Sequence, residues 1–416
     1  MPKHALALAL ASLVPFAVVS GCPGGDSDPG GTAGSATGGM AGAGGDAGDA
    51  GEPWDPVWHE TEPKTWQTVG PDGSPDCGPG CRMALNQSLA SGEGFVFTSA
   101  RVLGTGYKGV AFADTGATTT GILPHDPFGP ENGRLGLAAW GDFISAMRSF
   151  GIGRGQVEVA NLLTGETKIA LKYTPPGTNA VSDTALNAKY IFWEKGGIWA
   201  RDLNTGEVKQ VSQSGCYSMC ASNDVVFCDN GKISLIDPET ASSAFVDNGG
   251  ELQTDGACSP ARKQYAWIDY RDPPGPGASK NFARSGGEVY VHDLGTGKTR
   301  RVTFDSPGDP MGKTNPAVSG DVVVWSQPLD GEPRNPDDAQ ALYGAAKGLA
   351  TLDLNTGQRC RLLSSTPGPL GTKAVHGRKV IAKWLDKKAN ESRVILLDLD
   401  DPGLQWACEP TPGWTK

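Results

Sequence analysis

A hairpin that repeats along the chain constrains the fold more than any other feature of its 416 residues. Residues 288–304, EVYVHDLGTGKTRRVTF, show it most clearly: an apolar strand runs into Asp-Leu, a Thr-Gly turn follows, and a second short strand leaves. Two antiparallel strands joined by a tight loop give this pattern. The unit recurs as VAFADTGATTTGIL (110–123), VEVANLLTGETKIAL (157–171), IWARDLNTGEVKQV (198–211), ISLIDPETASSAFV (233–246), LATLDLNTGQRCRLL (349–363) and, loosely, VILLDLDDPGLQWAC (394–408).

Each hairpin follows another. NPAVSGDVVVW (315–325) is a short strand of small residues, a Ser-Gly-Asp turn and a β-branched strand ending in Trp. Its equivalents are SLASGEGFVF (88–97), LAAWGDFISAM (137–147), AVSDTALNAKYIFW (180–193), CASNDVVFC (220–228), ACSPARKQYAWI (257–268) and AVHGRKVIAKW (374–384). A repeat is therefore four strands, a to d. The turn residue after strand c falls at Asp114, Asn161, Asp202, Asp237, Asp293, Asp353 and Asp398, at spacings of roughly 35 to 60 residues, the range of propeller blades. The expected fold is all-β, a β-propeller over residues 85–410 with seven four-stranded blades, six and eight being the neighbouring counts. A lone four-stranded sheet has two faces to cover, and stacking blades in a ring covers both. Trp193, Trp267, Trp325 and Trp384 at the end of strand b are expected to fill the space between blades.

The content of 59 Gly and 31 Pro fits a turn-rich β protein. A net charge of −10, without a Lys/Arg run longer than a pair, excludes nucleic acid as a partner, because phosphate binding needs a basic stripe.

At the N-terminus Lys3 and His4 precede an uncharged run, residues 5–19, too short to span a membrane and suited to a signal-peptide core. The run ends in Val19-Ser20-Gly21-Cys22, which resembles the lipobox of bacterial lipoproteins. The resemblance implies a signal peptide over residues 1–21, lipidation of Cys22, and sorting to the outer membrane because Pro23 rather than Asp follows. The membrane is then a partner through the lipid alone, and the side of the outer membrane stays open. Residues 22–52 read as the lipidated Cys and a flexible Gly-rich tether with a reach of roughly 30 Å. Residues 53–84, with Trp54, Trp58 and Trp66, form an irregular entry segment expected to pack on the edge of the domain or help close it.

Eight cysteines remain: Cys77, Cys81, Cys216, Cys220, Cys228, Cys258, Cys360 and Cys408. In an exported protein an even number points to disulfides. The pairs CGPGC and CYSMC lack zinc spacing and a nearby His pair, so no metal is expected. Strand d of the last blade is expected from LQWACEP (404–410), with residues 63–83 as the other source of a closing strand. A bond from Cys77 or Cys81 to Cys408 would clasp the ends.

NPAVSGDVVVW with GLATLDLNTGQRCRLL, and AWIDYRD with GEVYVHDLGTGKTRRVTF, resemble the blade repeats of the TolB-like β-propeller superfamily over about residues 85–408. The chain departs from TolB itself in its lipobox and in the absence of a preceding α/β domain. The resemblance implies a fold and leaves function open, since propellers host many activities.

Two glycine runs imitate nucleotide motifs. Gly104 to Gly109 matches GxGxxG but leads into a strand, and the Gly-Thr-Gly-Lys-Thr at 295–299 occupies a hairpin turn of the repeat. No GxSxG or HExxH is present, and His125 sits in a connection between blades. No catalytic residue and no cofactor are assigned. The long segments, residues 124–132, 269–286, 305–314 and 327–347, all fall in b–c or d–a connections, which open on one face of a propeller. That elaborated face is the expected binding face, with Asp269, Tyr270, Arg271, Asp272, Arg284, Asp330, Arg334 and Asp338 as its candidate groups. A DYR run also follows strand b in the resembling propellers, so Arg271 is alternatively a structural corner pairing with carboxylates. The expected activity is binding of an envelope protein, peptidoglycan or polysaccharide. The alternative is a carbohydrate-active enzyme, a polysaccharide lyase or glycosidase using His, Arg, Tyr or carboxylates at the channel mouth.

Overall fold

Every described strand pairs antiparallel with a neighbour, and together the strands build seven sheets. The computed structural model describes residues 54–59, 67–69, 83–90, 94–102, 110–114, 120–122, 134–151, 154–161, 164–173, 181, 183–246, 253–271, 287–304, 313–328, 347–363, 370–386, 391–411 and 413–414. All lie in Asp46–Lys416, the second of two units; the first is Met1–Gly45. Cys22, Cys77, Cys81, Trp66 and His125 lie outside the described residues.

Blade 1 contains β1 (Gln67–Val69), β2 (Met83–Ala90), β3 (Gly94–Val102), β4 (Val110–Asp114) and β5 (Thr120–Ile122), in the order β1-β5-β4-β3-β2. Blade 2 is β6 (Arg134–Trp140), β7 (Phe143–Gly151), β8 (Arg154–Asn161) and β9 (Thr167–Tyr173). Blade 3 is β10 (Thr184–Leu186), β11 (Tyr190–Glu194), β12 (Ile198–Asp202) and β13 (Val208–Ser212). Blade 4 is β14 (Ser218–Ala221), β15 (Val226–Asp229), β16 (Ile233–Ile236) and β17 (Ser243–Phe245). Blade 5 is β18 (Gln253–Cys258), β19 (Gln264–Asp269), β20 (Glu288–Asp293) and β21 (Lys298–Arg301). Blade 6 is β22 (Thr314–Ser319), β23 (Val322–Pro328), β24 (Lys347–Asp353) and β25 (Gln358–Leu362), and blade 7 is β26 (Leu370–His376), β27 (Lys379–Asp386) and β28 (Glu391–Asp398). The last strand, β29 (Trp406–Pro410), is a fifth strand on blade 6.

The first strands of the blades, β2, β6, β10, β14, β18, β22 and β26, each touch the next, and β26 touches β2. They form a closed ring around a central channel. The fold is a seven-bladed β-propeller.

Large side chains lie between blades, as the repeat predicts. Trp193, Trp267 and Trp325 are all buried. Trp193 joins Val157, Val159 and Leu171 of blade 2. Trp267 packs with Phe227 and Ile233 of blade 4, and Trp325 with Ile268, Val289 and Val291 of blade 5. Each indole thus covers the face of the preceding blade. Burying an aromatic side chain removes about 150–250 Å² from water, so these residues contribute heavily to stacking.

The closing strand differs from expectation. LQWACEP does not complete blade 7: β29 pairs with β25, Cys360 opposite Cys408, and those two form a disulfide with Cα atoms 4.1 Å apart. Cys408 is therefore not available to Cys77 or Cys81. The reason is geometric, because neighbouring antiparallel strands bring opposed Cα atoms within disulfide range. Residues 67–69 pair with β5 and so extend blade 1 rather than blade 7. The seam between first and last blades is instead closed by β2 lying against β26 and β28. Cys216 and Cys220 do not bond each other, being four residues apart along an extended chain. Cys216 bonds Cys228 within blade 4, and Cys220 bonds Cys258, tying the inner strands of blades 4 and 5.

The c–d turns follow one design. The backbone N–H of Gly165, Gly206, Gly297 and Gly357 donates to the carbonyl of the Asn or Asp four residues earlier. That residue's side chain accepts from the turn backbone, as Asp202 does from Asn204 and Thr205, and Asp293 from Thr296. The motif at residues 295–299 is thus a hairpin turn. At Gly206 and Gly357 the backbone is left-handed (φ +77° and +70°), and a Cβ would clash with Trp54 and Trp414 respectively. Blade 4 places Ala241 at the same position with φ 57° and the same bond to Asp237. An L side chain is disfavoured there. Replacement of Ala241 by Gly is expected to stabilise the protein by about 0.5–1 kcal/mol, net of the added chain entropy. The expected readout is a higher denaturant midpoint with an unchanged slope; a lower midpoint contradicts this reading of the turn.

Candidate functional site

The b–c connections leave from the ends of β19 and β23 and return at the starts of β20 and β24. Both are anchored by direct pairing across the insertion: Asp269 lies opposite Glu288, and Pro328 opposite Lys347. The insertions are therefore mounted on paired strand ends.

The mount in blade 5 is a network of buried charge. Asp269 is 0% exposed and accepts from Gln253 Nε2 at 2.7 Å, Trp267 Nε1 at 3.1 Å, the Arg271 backbone N–H at 2.8 Å and the Arg271 guanidinium. Burial alone would raise its pKa, but the hydrogen bonds from Arg271, Gln253 and Trp267 outweigh that and hold the carboxyl below its ordinary value. The Arg271 guanidinium also lies over the Tyr290 ring, 4.3 Å from its centre. Gln253 accepts from the Ile233 backbone N–H at 2.5 Å, linking this corner to blade 4.

Opposite, the buried Glu288 carboxylate pairs with Arg301 at 3.3 Å and Lys313 at 3.2 Å and accepts from the Thr303 hydroxyl. Lys313 stands at the entry to β22, so this ion pair joins blades 5 and 6. Two carboxylates on adjacent strands would repel in a dry site. Here each has its own cation, and the corner holds together.

Blade 6 repeats the arrangement with a neutral acceptor. Trp325 Nε1 and Arg359 Nη2 both donate to Gln327 Oε1 at 3.1 Å. The rule is a Trp near the end of strand b with a hydrogen-bond acceptor two residues on. Trp193 has Lys195 at that place, and its buried Nε1 has no partner among the described residues. This spacing, Trp267 to Asp269 and Trp325 to Gln327, was present in the sequence and marks the mounts of the two longest insertions.

Of the eight candidate groups, the structure places three. Asp269 and Arg271 form the corner, and Tyr270 packs against the core between blades 5 and 6. Asp272, Arg284, Asp330, Arg334 and Asp338 lie outside the described residues. Sequence reasoning missed Asp183, at the elaborated end of blade 3. It accepts from the Met219 backbone N–H of blade 4 at 2.6 Å, and desolvation, with the Glu194 charge adding a smaller push, raises its pKa to about 7. Among the described residues no group of three His, Cys, Asp or Glu is placed to hold a metal ion.

No protein-family model matches the chain, and no curated protein sequence matches it. Solved structures do resemble it. An oligogalacturonate lyase in complex with manganese is 12% identical, with a TM-score of 0.50, covering 83% of this chain and 100% of its own. A puromycin-hydrolyzing peptidase from Mycobacterium tuberculosis is 12% identical, with a TM-score of 0.49, covering 83% and 56%. TolB from Acinetobacter baumannii is 14% identical, with a TM-score of 0.36, covering 78% and 81%. Likeness at this identity concerns the fold alone.

The corner generates a stability prediction. Replacing Arg271 by Ala strands a buried carboxylate, which is expected to cost about 3 kcal/mol at neutral pH. Asp269 is depressed in the folded state, so its contribution is present above its unfolded pKa and lost as pH falls through the folded one. The gap between wild type and Arg271→Ala in denaturant unfolding should therefore narrow on acidification. An equal melting temperature for the two proteins at pH 7 contradicts the structural corner.

Proposed function

We propose that the protein is a lipid-anchored outer-membrane propeller that binds an envelope protein, peptidoglycan or polysaccharide through its elaborated face. The observation that carries this reading is where residues 54–59 sit. Trp54 Nε1 donates to Leu203 O at 3.0 Å, and the ring covers Gly206, both in the c–d turn of blade 3. Trp58 packs on Phe143 with ring centres 5.0 Å apart. Lys168 Nζ donates to the carbonyls of Asp55 and Val57 and lies 4.2 Å from the centre of the Trp58 ring. The His59 backbone N–H donates to Glu166. All of these contacts are at the a–b and c–d turns of blades 2 and 3. Residues 54–59 thus lie on the trimmed side, at the opposite strand ends from those where the b–c insertions leave the sheets.

Lipidation of Cys22 gives this arrangement its sense, because buried acyl chains hold the tether at the membrane. The three disulfides among the described residues support an exported protein, since such bonds persist in oxidising compartments. Rigid, hydrogen-bonded mounts beneath long loops suit recognition, where loops carry binding groups on a fixed scaffold.

The test combines anchor and face. Labelling with palmitate should mark wild type and not Cys22→Ala, and an unlabelled wild type refutes the anchor. Purified protein should co-sediment with peptidoglycan sacculi or bind a polysaccharide from a panel. Replacing residues 272–286 by a short Gly-Ser link should abolish that binding with the melting temperature kept. New reducing ends or unsaturated products from the panel contradict a binding role and favour a carbohydrate-active enzyme.

A further inference from the structure

Arg262 has no acid to pair with among the described residues. Arg262 lies in the a–b turn of blade 5, between β18 and β19, and is 7% exposed. Its Nη2 donates to the backbone carbonyl of Ala139 at 2.7 Å. Ala139 is in β6, the inner strand of blade 2. Blades 2 and 5 are not neighbours in the ring, so this bond crosses the central channel. Both residues lie near a–b turns, and the side chain bars the channel at its trimmed end.

Three properties separate Arg262 from an ordinary tie. First, its backbone φ is 57°, in the left-handed region that a long L side chain rarely enters. Such strain persists where the surroundings impose it and is concentrated at functional positions. Second, the group is charged and buried. Burial lowers its pKa to about 10, which leaves it protonated at neutral pH, and no carboxylate among the described residues pairs with it. Third, a guanidinium carries five N–H donors, and the Ala139 carbonyl takes one of them. The remaining nitrogens are not among the atoms fully sealed from solvent without a partner, so some donor capacity stays within reach of a small ligand. A buried charge is costly unless paired, and this chain supplies half of a pair.

We propose that the Arg262 guanidinium is the floor of an oxyanion site in the central channel, open toward the elaborated face, which takes a carboxylate or phosphate group carried on a slim ligand. The planar fork of an arginine fits either oxyanion with two parallel hydrogen bonds. In a protein of net charge −10 the site would be a local positive exception at the end of a channel. The inference goes beyond the envelope-binding reading and does not depend on the lipid anchor.

The experiment is titration calorimetry of the full chain at pH 7 with sodium acetate and with sodium phosphate, against sodium chloride at matched ionic strength. Wild type should bind at least one oxyanion saturably. Arg262→Gly suits the left-handed backbone, so it should fold and lose the binding. Arg262→Lys keeps the charge without the fork and should bind about tenfold or more weakly. Acetate binding alone assigns a carboxylate ligand, and phosphate binding alone a phosphate ligand. If Arg262→Gly unfolds, the comparison of wild type with Arg262→Lys carries the result. Equal heats from wild type and the variants with both anions, or no saturable binding to wild type, overturns the proposal and leaves Arg262 as a strut across the ring.

Discussion

A four-stranded sheet with two apolar faces cannot stand alone in water, and the structure follows from that constraint. Each blade hides one face against its predecessor, with Trp193, Trp267 or Trp325 as the largest buried side chain at three of these junctions. Truncating such a residue typically costs about 3–5 kcal/mol, so stacking is a leading contribution at these junctions. The ring arises because stacking leaves no face uncovered only when the last blade meets the first. Here β2 meets β26 and β28, and no described strand is shared between blades 7 and 1.

Once stacking is fixed, polar groups at the ends of the strands must be satisfied within the junctions. Asp269 and Glu288 show how this is done: each buried carboxylate faces a cation, and the ion pairs of Glu288 reach into the next blade through Lys313. Such pairs add little net stability over apolar packing, but removing one partner is costly. They fix where the insertions start and end. Arg262 stands apart, since its charge is buried without a carboxylate among the described residues and its hydrogen bond reaches a blade that is not its neighbour.

Much of this was legible in the sequence. The Asp or Asn expected to end strand c lies at or immediately after that strand's last residue in all seven blades, and in blades 2 to 6 the c–d turn follows it. That holds because the turn chemistry is local: one side chain accepts from backbone two or three residues on. The indoles between blades were legible through their period. Closure was not, because the pairing of Cys360 with Cys408 is set by where a terminal strand docks, which no local pattern encodes. Asp269 was found through its DYR run, yet its partners Gln253 and Trp267 and the cross-strand Glu288 depend on register. Arg262 gave no signal at all, as its meaning comes from a bond to a residue 123 positions away.

The termini complete the account. The segment with Trp54 and the segment with Trp414 each cover the glycine of a c–d turn, in blades 3 and 6, so both ends of the described chain are fastened to the trimmed side. Among the described residues the seam between blades 7 and 1 is held by blade stacking, while β29 is spent on blade 6. Mass mapping of non-reduced proteolytic peptides tests this most directly. The account predicts a peptide pair linked through Cys360 and Cys408, and a pair linking Cys408 to Cys77 or Cys81 would contradict it.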